Sequence, residues 1–486
     1  MNTRWVACAL GAAMGLSGCA TPFDATDEPR PVAGDAVAPG MAAHGPSDDG
    51  RVSAAADAPS TLGPDAGPEE YVRYALDQSP RVQAAYQRWK AAAAMVPQAR
   101  ALPDPRLNFG FFLDEVETRV GPQQARVGVS QMFPWPGTLA AREDAAALAA
   151  RAAWRQLQAA QLSVAAEVVG ALHELAYLDE AVRITRETLG LLASFEEVAR
   201  ARYRVGAGSH PALVRVQVEL GQMEDRLRQL EAMRPAFVAE LNAALGRAGG
   251  AAVAPLPPLP ALIADAEVDA LVAAARDHNP TLLALGERVE EQRVRTTLAR
   301  KSGLPDLTVG VDYTFTGEAM MPGVAESGDD PILLSFGLNV PLWREKYDAA
   351  VREAVARRLA VAHERGDETN RLDAAVHRAW FEHTDAQRRL ALYEQTLIPR
   401  AQESLRTTLA GFRAGDASFL DLLDTERTLL EFALSSARAR ADRGRSLARL
   451  QMLVGGPVPL RGVEAPAPAP APASPADPAA PEEVQP

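Results

Sequence analysis

Two stretches in the second half of the chain alternate between apolar residues and polar or small ones. In the first, the apolar positions are Leu307, Val309, Val311, Tyr313 and Phe315. In the second, they are Ile332, Leu334, Phe336, Leu338 and Val340. Residues two apart on a strand share a face, so the pattern predicts strands at about 306–315 and 332–340, each with one apolar face. A weaker alternation predicts strands at about 106–113 and 125–133.

Elsewhere the apolar positions recur every three or four residues over long segments. Residues of about 138–204 contain no proline and predict one helix near 100 Å long, at about 1.5 Å per residue. A turn at Val205 to Pro211 leads to a return helix with heptad spacing. The second half repeats this with a turn at Arg413 to Ser418 and a return helix from Phe419. The pattern therefore predicts two antiparallel helical hairpins.

The same signals occur twice in the same order. The paired motifs are Ser79-Pro80 with Asn279-Pro280, Leu102-Pro103-Asp104 with Leu304-Pro305-Asp306, and Tyr203-Arg204-Val205-Gly206 with Phe412-Arg413-Ala414-Gly415. Chance similarity between two alanine-rich helices would not preserve turn residues in this order. The fold class is therefore mainly α with a small β part, built from two tandem repeats. Each repeat predicts a helix (about 81–100 and 281–301), two strands and a long helical hairpin.

The amino-terminal segment is typical of a bacterial lipoprotein precursor. Arg4 precedes a short apolar run, and Leu16-Ser17-Gly18-Cys19 resembles a lipobox. We expect residues 1–18 to be a signal peptide and Cys19 to carry the lipid; the alternative is an ordinary signal peptide with an incidental cysteine. Cys8 would leave with the signal, so we expect neither a disulfide nor a cysteine-based metal site. No later apolar run is long enough to predict a membrane-spanning helix.

Composition sets the remaining boundaries. Residues 19–68 are rich in Ala, Pro, Gly and Asp and predict a disordered, lipid-anchored tether. Residues 69–250 hold the first repeat, 251–265 a proline-rich linker, and 266–456 the second repeat. Alternating Ala and Pro in 457–486 predict a disordered tail.

Four amphipathic strands cannot close a membrane barrel alone. The smallest such barrels have about eight strands, and open edges would leave backbone groups unpaired in lipid. We therefore expect a homotrimer that forms a 12-stranded outer-membrane β-barrel, continued by a periplasmic α-helical barrel of six hairpins. The alternative is a structural coiled-coil lipoprotein without a pore, for which amphipathic strands would have no use. The net charge of −13 argues against a nucleic-acid partner.

This arrangement resembles the TolC family of outer-membrane efflux factors, including its lipoprotein members in tripartite RND-type systems. The resemblance covers about residues 70–456, and its most specific motifs are the helix-reversal turns Tyr203-Arg204-Val205-Gly206 and Phe412-Arg413-Ala414-Gly415. It implies that these tip turns dock a periplasmic adaptor protein. It also implies that an inner-membrane RND-type pump delivers small molecules or metal ions for passive export. A type I protein-secretion duct shares the fold and stays an alternative.

The resemblance also implies a gate. The family closes its periplasmic end with acidic residues that correspond to Asp421 and Asp424. Six carboxylates at one constriction would attract cations and raise one another's pKa values. The alternative role for an acidic first turn is to stabilise the helix N-terminus. Other members have an acidic residue at the position of Ala212 and a basic residue at the position of Ala417. The closing network of this chain must therefore differ in detail.

Proline follows the second strand of each repeat, at Pro134 and Pro136 with Gly137, and at Pro341. Proline cannot donate to a sheet ladder and often opens a helix, so these residues predict strand-to-helix joints. The segment from Phe133 to Gly137 also resembles the heavy-metal branch of the family.

Catalytic chemistry has little support in the sequence. There is neither a glycine-rich phosphate loop nor a Gly-x-Ser-x-Gly elbow, so we expect no enzyme and no cofactor. His377 and His383 lie six residues apart and face different sides of a helix, which argues against a metal site. Met320 and Met321, in a predicted external loop, suit soft cations, but adjacent methionines are more often incidental.

Overall fold

The computed structural model describes residues 62–63, 66–206, 208–256, 259–414 and 416–462. The predicted signal peptide, Cys19, Gly415 and most of the predicted tether and tail lie outside these residues. The chain divides into two compact units. The described part of the first unit is Ala84–Gln158 and Leu283–Gly366, and the second unit includes Ala159–Leu282 and the chain from Asp367 onward.

The secondary structure follows the two repeats. The first repeat contains α1 (Pro68–Gln78), α2 (Pro80–Arg100), β1 (Arg106–Thr118), β2 (Gly121–Phe133), α3 (Thr138–Arg204) and α4 (His210–Ala244). The second contains β3 (Leu262–Ala264), α5 (Val268–His278), α6 (Pro280–Lys301), β4 (Leu307–Thr316), β5 (Ile332–Leu338), α7 (Arg344–Leu392), α8 (Ile398–Ala414), α9 (Phe419–Val454) and β6 (Leu460–Gly462). The predicted mainly α fold with a small β part is confirmed.

Several short elements are absent from the sequence prediction. Helices α1 and α5 open the two repeats, and α1 begins at Pro68, inside the segment assigned to the tether. Strand β3, within the assigned linker, pairs antiparallel with β6, within the assigned tail. Both of these segments contribute buried residues, because Val458 lies in the core of the second unit and Ile263 is buried on β3. A π-helical turn at Tyr393–Leu397 separates α7 from α8.

The first unit contains an antiparallel sheet with strand order β1-β2-β4-β5. Its register gathers the strong apolar positions on one face. One row across the four strands is Phe109, Val127, Tyr313 and Ile332, and the next is Leu107, Val129, Val311 and Leu334. The opposite face carries mostly polar and small residues, as period-two alternation requires. The β2–β4 pair joins the two repeats directly.

The second unit is mostly helical, and the two hairpins α3–α4 and α8–α9 share one apolar core. Leu192 of α3, Val216 of α4, Phe412 of α8 and Leu422 of α9 are all buried in it. These side chains come from the stripes of three-and-four spacing, which is why helices of this length pack side by side. Among the described residues, no helix combines the length and apolarity needed to cross a bilayer.

Candidate functional site

The first helix-reversal turn is built around a left-handed glycine. Gly206 has φ +74°, and its N–H donates to the carbonyl of Tyr203 at 3.0 Å. Any residue with a β-carbon would be strained at this φ. The Ser209 hydroxyl then caps α4 by accepting the backbone N–H of Ala212 at 3.4 Å. Val205 is 77% exposed at the turn, so its side chain is available to a partner.

The second turn ends in a reciprocal helix cap. The backbone N–H of Asp421 donates to the Ser418 hydroxyl at 3.2 Å, while Asp421 Oδ2 accepts the backbone N–H of Ser418 at 3.0 Å and its hydroxyl at 2.7 Å. These hydrogen bonds from Ser418 lower the pKa of the Asp421 carboxyl. Asp424 lies one turn further along α9 and is exposed. Asp421 therefore starts α9 as a capping-box acid, whatever further role it has.

Arg202 joins the ends of the two hairpins. Its guanidinium stacks over the ring of Phe412 at 4.9 Å and donates a hydrogen bond to the Phe412 carbonyl. The Phe412 ring packs in turn against Phe419, with ring centroids 5.5 Å apart. Phe412 is therefore buried, whereas Tyr203 and Arg413 are exposed. Of the residues expected in the docking turns, Phe412 holds the turns together rather than presenting its side chain to a partner.

Two buried glutamates lie close to the turns, and the sequence analysis missed both. Glu219 of α4 is 6% exposed and forms a bidentate ion pair with Arg427 of α9. Glu426, the residue before Arg427, is 2% exposed, and its Oε2 has no hydrogen-bond partner. A signal was available, because Glu426 lies on the three-and-four spaced stripe of α9 that includes Leu422 and Leu430, where an apolar residue is normal.

The environment of Glu426 favours its neutral form. Burial, and to a smaller extent the negative charge of Glu219, raise the pKa of its carboxyl to about 7, while Arg427 opposes both effects. Desolvation dominates because a charged carboxylate loses its hydration in an apolar core, and the nearest cation is already paired. A carboxyl that can gain or lose a proton near neutral pH therefore lies five residues from Asp421 along α9.

Asp306 connects the two strand-to-helix joints within the first unit. Its carboxylate accepts the backbone N–H of Trp135 at 3.0 Å, between Pro134 and Pro136. Its own backbone N–H donates to the side-chain oxygen of Asn339, two residues before Pro341. Asp306 of the second Leu-Pro-Asp motif thus links the segments that follow β2 and β5 through hydrogen bonds.

The joint after β2 is held from a second side. Lys301, the last residue of α6, donates through Nζ to the carbonyl of Pro136 at 2.8 Å. Gly137 has φ +76°, and a β-carbon there would lie 2.9 Å from Lys301 Nζ. Helix α3 begins at Thr138, directly after this glycine.

No metal centre forms within the described part of the chain, where no group of three or more His, Cys, Asp or Glu side chains is placed to hold an ion. His383 is fully buried, and its Nε2 accepts the backbone N–H of Ala264 at 3.1 Å, so it packs β3 onto α7. Met320 and Met321 are 81% and 74% exposed in the loop between β4 and β5.

Both repeats of the chain match a known protein family. The family described as outer membrane efflux protein matches residues 72–247 and 271–456, one match in each repeat. The chain is 29% identical to CyaE of Bordetella pertussis over 290 residues, covering 56% of this chain and 60% of CyaE. It therefore spans less than two thirds of that relative. It is 24% identical to the cobalt-zinc-cadmium resistance protein CzcC of Cupriavidus metallidurans over 347 residues, covering 69% of this chain and 77% of CzcC.

A solved structure shares the fold. The outer-membrane channel OprN superposes with a TM-score of 0.69 at 17% identity, covering 80% of this chain and 90% of OprN. The family matched is one of efflux proteins rather than of enzymes, and it accounts for both repeats. The chain belongs to the outer membrane efflux protein family, which confirms the resemblance to TolC found in the sequence.

Proposed function

We propose that this chain is one subunit of a homotrimeric, lipid-anchored outer-membrane duct for the passive export of small molecules or metal ions. The observation that carries the proposal is the uncovered apolar face of the sheet. On that face Phe109, Phe111 and Phe336 are 64%, 77% and 69% exposed in the single chain. An apolar face of this extent requires a nonpolar environment, and membership of an efflux family makes lipid the natural one.

The sheet edges require more than one copy. Strands β1 and β5 are the two edges of the four-stranded sheet, and neither edge can stay unpaired in a bilayer. Pairing β5 of one copy with β1 of the next closes a ring, and three copies give twelve strands. The apolar faces then meet lipid and the polar faces line the lumen. The helical hairpins extend the duct into the periplasm as an α-helical barrel.

The exposed turn residues support the docking of a periplasmic adaptor. Tyr203 and Val205 of the first turn and Arg413 of the second are exposed, while Arg202 and Phe412 fix the two turns together. A partner can therefore bind a preformed surface. The adaptor would connect this duct to an inner-membrane RND-type pump, and the lipid on Cys19 would hold the mature chain at the outer membrane of the bacterial cell.

Asp421 and Asp424 remain our proposed periplasmic gate. The Ser418 hydrogen bonds favour the ionised form of Asp421, so its charge persists unless neighbouring copies bring further carboxylates close. Three copies would concentrate six carboxylates, which attract and retain divalent cations. The name of the relative CzcC, a cobalt-zinc-cadmium resistance protein, supports metal ions as one class of cargo.

The test is electrical recording from the purified, full-length protein in planar bilayers. We expect conductance from the wild type, block by millimolar divalent cations, and higher conductance with weaker block in the Asp421→Ala/Asp424→Ala variant. The matched control is Asp225→Ala, which removes an exposed acid of α4. If neither the wild type nor the double variant conducts at any pH, the proposed duct is overturned. Conductance with unchanged block in the double variant would overturn only the gate.

A further inference from the structure

The polar face of the sheet carries one ion pair between the two repeats. Arg126 lies on β2 and Asp312 on β4, and a guanidinium nitrogen lies 3.0 Å from the carboxylate oxygen Oδ2. In the ladder, Arg126 stands opposite Thr314 and Asp312 opposite Gly128, so the pair runs diagonally between adjacent rows. The Asp312 side chain is only 19% exposed, although it lies on the open face of a single sheet.

Glycines leave room for this pair to lie against the sheet. A β-carbon at Gly128 would come within 2.1 Å of Asp312 Oδ1, so any larger residue there would displace the carboxylate. Gly110 of β1 is the ladder partner of Arg126 on its other side. The glycines therefore let the two charged side chains fold along the strands rather than extend away from them.

The rest of this polar face is nearly free of charge. At the paired ladder positions in regular register, the side chains on the same face as the pair are neutral apart from Arg106 at the start of β1. These neutral positions include Asn108, Ser130, Met132, Thr308, Gly310, Thr314, Leu333, Ser335 and Gly337. Asp114, which continues the even-numbered alternation of β1, lies in the unpaired segment between Phe111 and Val116. Arg126 and Asp312 are thus the two opposite charges at mid-strand, and each largely cancels the field of the other beyond a few ångströms.

We propose that Arg126 and Asp312 keep the membrane-embedded part of the duct non-selective between cations and anions, because each cancels the charge of the other. The proposal rests on the trimeric duct described above. Three copies place three such pairs around one lumen, as a ring with no net charge. A ring with no net charge presents neither a cationic nor an anionic barrier. Such a ring suits the membrane-embedded passage, because the proposed gate at Asp421 and Asp424 already controls entry at the periplasmic end. Removing one partner exposes three like charges at one level of the lumen, where they attract counter-ions and repel co-ions.

The experiment measures reversal potentials of the full-length protein in bilayers under a potassium chloride gradient. Relative to wild type, Asp312→Asn should shift the permeability ratio toward chloride by roughly two- to fivefold, and Arg126→Gln should shift it toward potassium by a similar factor. The charge-swapped variant Arg126→Asp/Asp312→Arg should return close to wild type. Unchanged ratios in both single variants, or shifts in the same direction, would overturn the proposal.

A second measurement does not depend on comparing separately folded variants. Asp312→Cys is recorded before and after addition of a membrane-impermeant, negatively charged thiol reagent. The wild type serves as the reagent control. Its two natural cysteines are Cys8, which we expect to leave with the signal peptide, and Cys19, which we expect to carry the lipid, so neither should react. Modification should move the ratio toward potassium by restoring the negative charge, and an unchanged ratio would overturn the proposal. Failure of the wild type to conduct would instead overturn the duct itself.

Discussion

Arg427 of α9 pairs with Glu219 of α4 through two hydrogen bonds, with Arg427 Nε 3.0 Å from Glu219 Oε1. The two residues come from the return helices of different repeats. Their surroundings are unequal: the Glu219 side chain is 8% exposed and that of Arg427 57%. The ion pair therefore compensates a buried acid with a cation that can also reach water.

This inequality predicts an asymmetric response to mutation. Arg427→Met leaves Glu219 buried and unpaired beside Glu426, so we expect a loss of about 3 kcal/mol in unfolding free energy. Glu219→Gln leaves a cation that solvent can reach, so we expect a loss of about 1 kcal/mol. Chemical unfolding in detergent, followed by circular dichroism, measures both. Arg228→Met breaks an exposed pair with Glu224 and serves as the control, with little change expected. Equal losses in the first two variants would contradict the asymmetry.

Glu426 predicts a pH dependence of stability. Its carboxyl has a pKa of about 7 in the folded chain against an ordinary value of 4.5. Between these values the folded chain retains a proton that the unfolded chain has lost, so stability falls as pH rises from 4.5 to 7, by up to about 3 kcal/mol. Glu426→Gln should flatten this fall when unfolding is measured at pH 5 and at pH 8. The exposed Glu431→Gln on the same helix should keep the slope, and an unchanged slope in Glu426→Gln would refute the assignment.

The helix cap and the proposed gate can be separated at Asp421. Asp421→Ala removes the capping acid, which should destabilise the first turn of α9. Asp424→Ala removes a charge outside the capping box and should leave that turn intact. Amide hydrogen exchange of the first α9 residues should accelerate about fivefold in the first variant only. Similar acceleration in both variants would mean that Asp421 has no special place in the cap.

The lipid anchor is tested on whole cells. Cys19→Ser removes the nucleophile that would carry the lipid, so incorporation of a fatty-acid probe into the protein should fall to background. Cys19 is the second of only two cysteines in the chain, and the first, Cys8, precedes the expected cleavage site. Cys8→Ser should therefore keep full labelling. Persistent labelling of Cys19→Ser would place the lipid elsewhere.

The hairpin between β1 and β2 depends on Gly121. Its φ is +133°, and a β-carbon there would come within 1.8 Å of the carbonyl oxygen of Gly317, in the loop after β4. Gly121→Ala should therefore displace that loop and lower the yield of folded protein, measured by protease resistance after extraction. The control is Gly190→Ala, at an exposed site of α3 with open space around it, where alanine should stabilise the helix by up to about 1 kcal/mol. Normal resistance in Gly121→Ala would show that the loop adapts.

Sequence periodicity predicted the long elements because their signal is repeated many times. Helix α3 begins at Thr138 and ends at Arg204, as the proline-free stripe indicates. The short elements gave no such signal. Strands β3 and β6 are three residues each, and their pairing joins positions about 200 residues apart, which no local pattern reveals.

Only those parts of the candidate site that lie within one continuous sequence motif could be predicted. The turn motifs placed the hairpin ends, but the burial of Phe412 depends on Arg202 from the other repeat. The pairing of Arg126 with Asp312 likewise needs the cross-strand register of β2 and β4. Long-range contacts of this kind follow from packing, and single-sequence reasoning has no access to them.

The strand order β1-β2-β4-β5 has a consequence for symmetry. Inside one chain, β2, the second strand that the first repeat contributes to this sheet, pairs with β4, the first strand that the second repeat contributes to it. In the proposed trimer, β5 of one copy meets β1 of the next, which again joins a second strand to a first strand. All six junctions around the ring would then be of one kind, and a threefold assembly would have nearly sixfold geometry in its β part. An ancestor with a single repeat could have closed the same ring as a hexamer, and duplication then let alternate positions around it diverge.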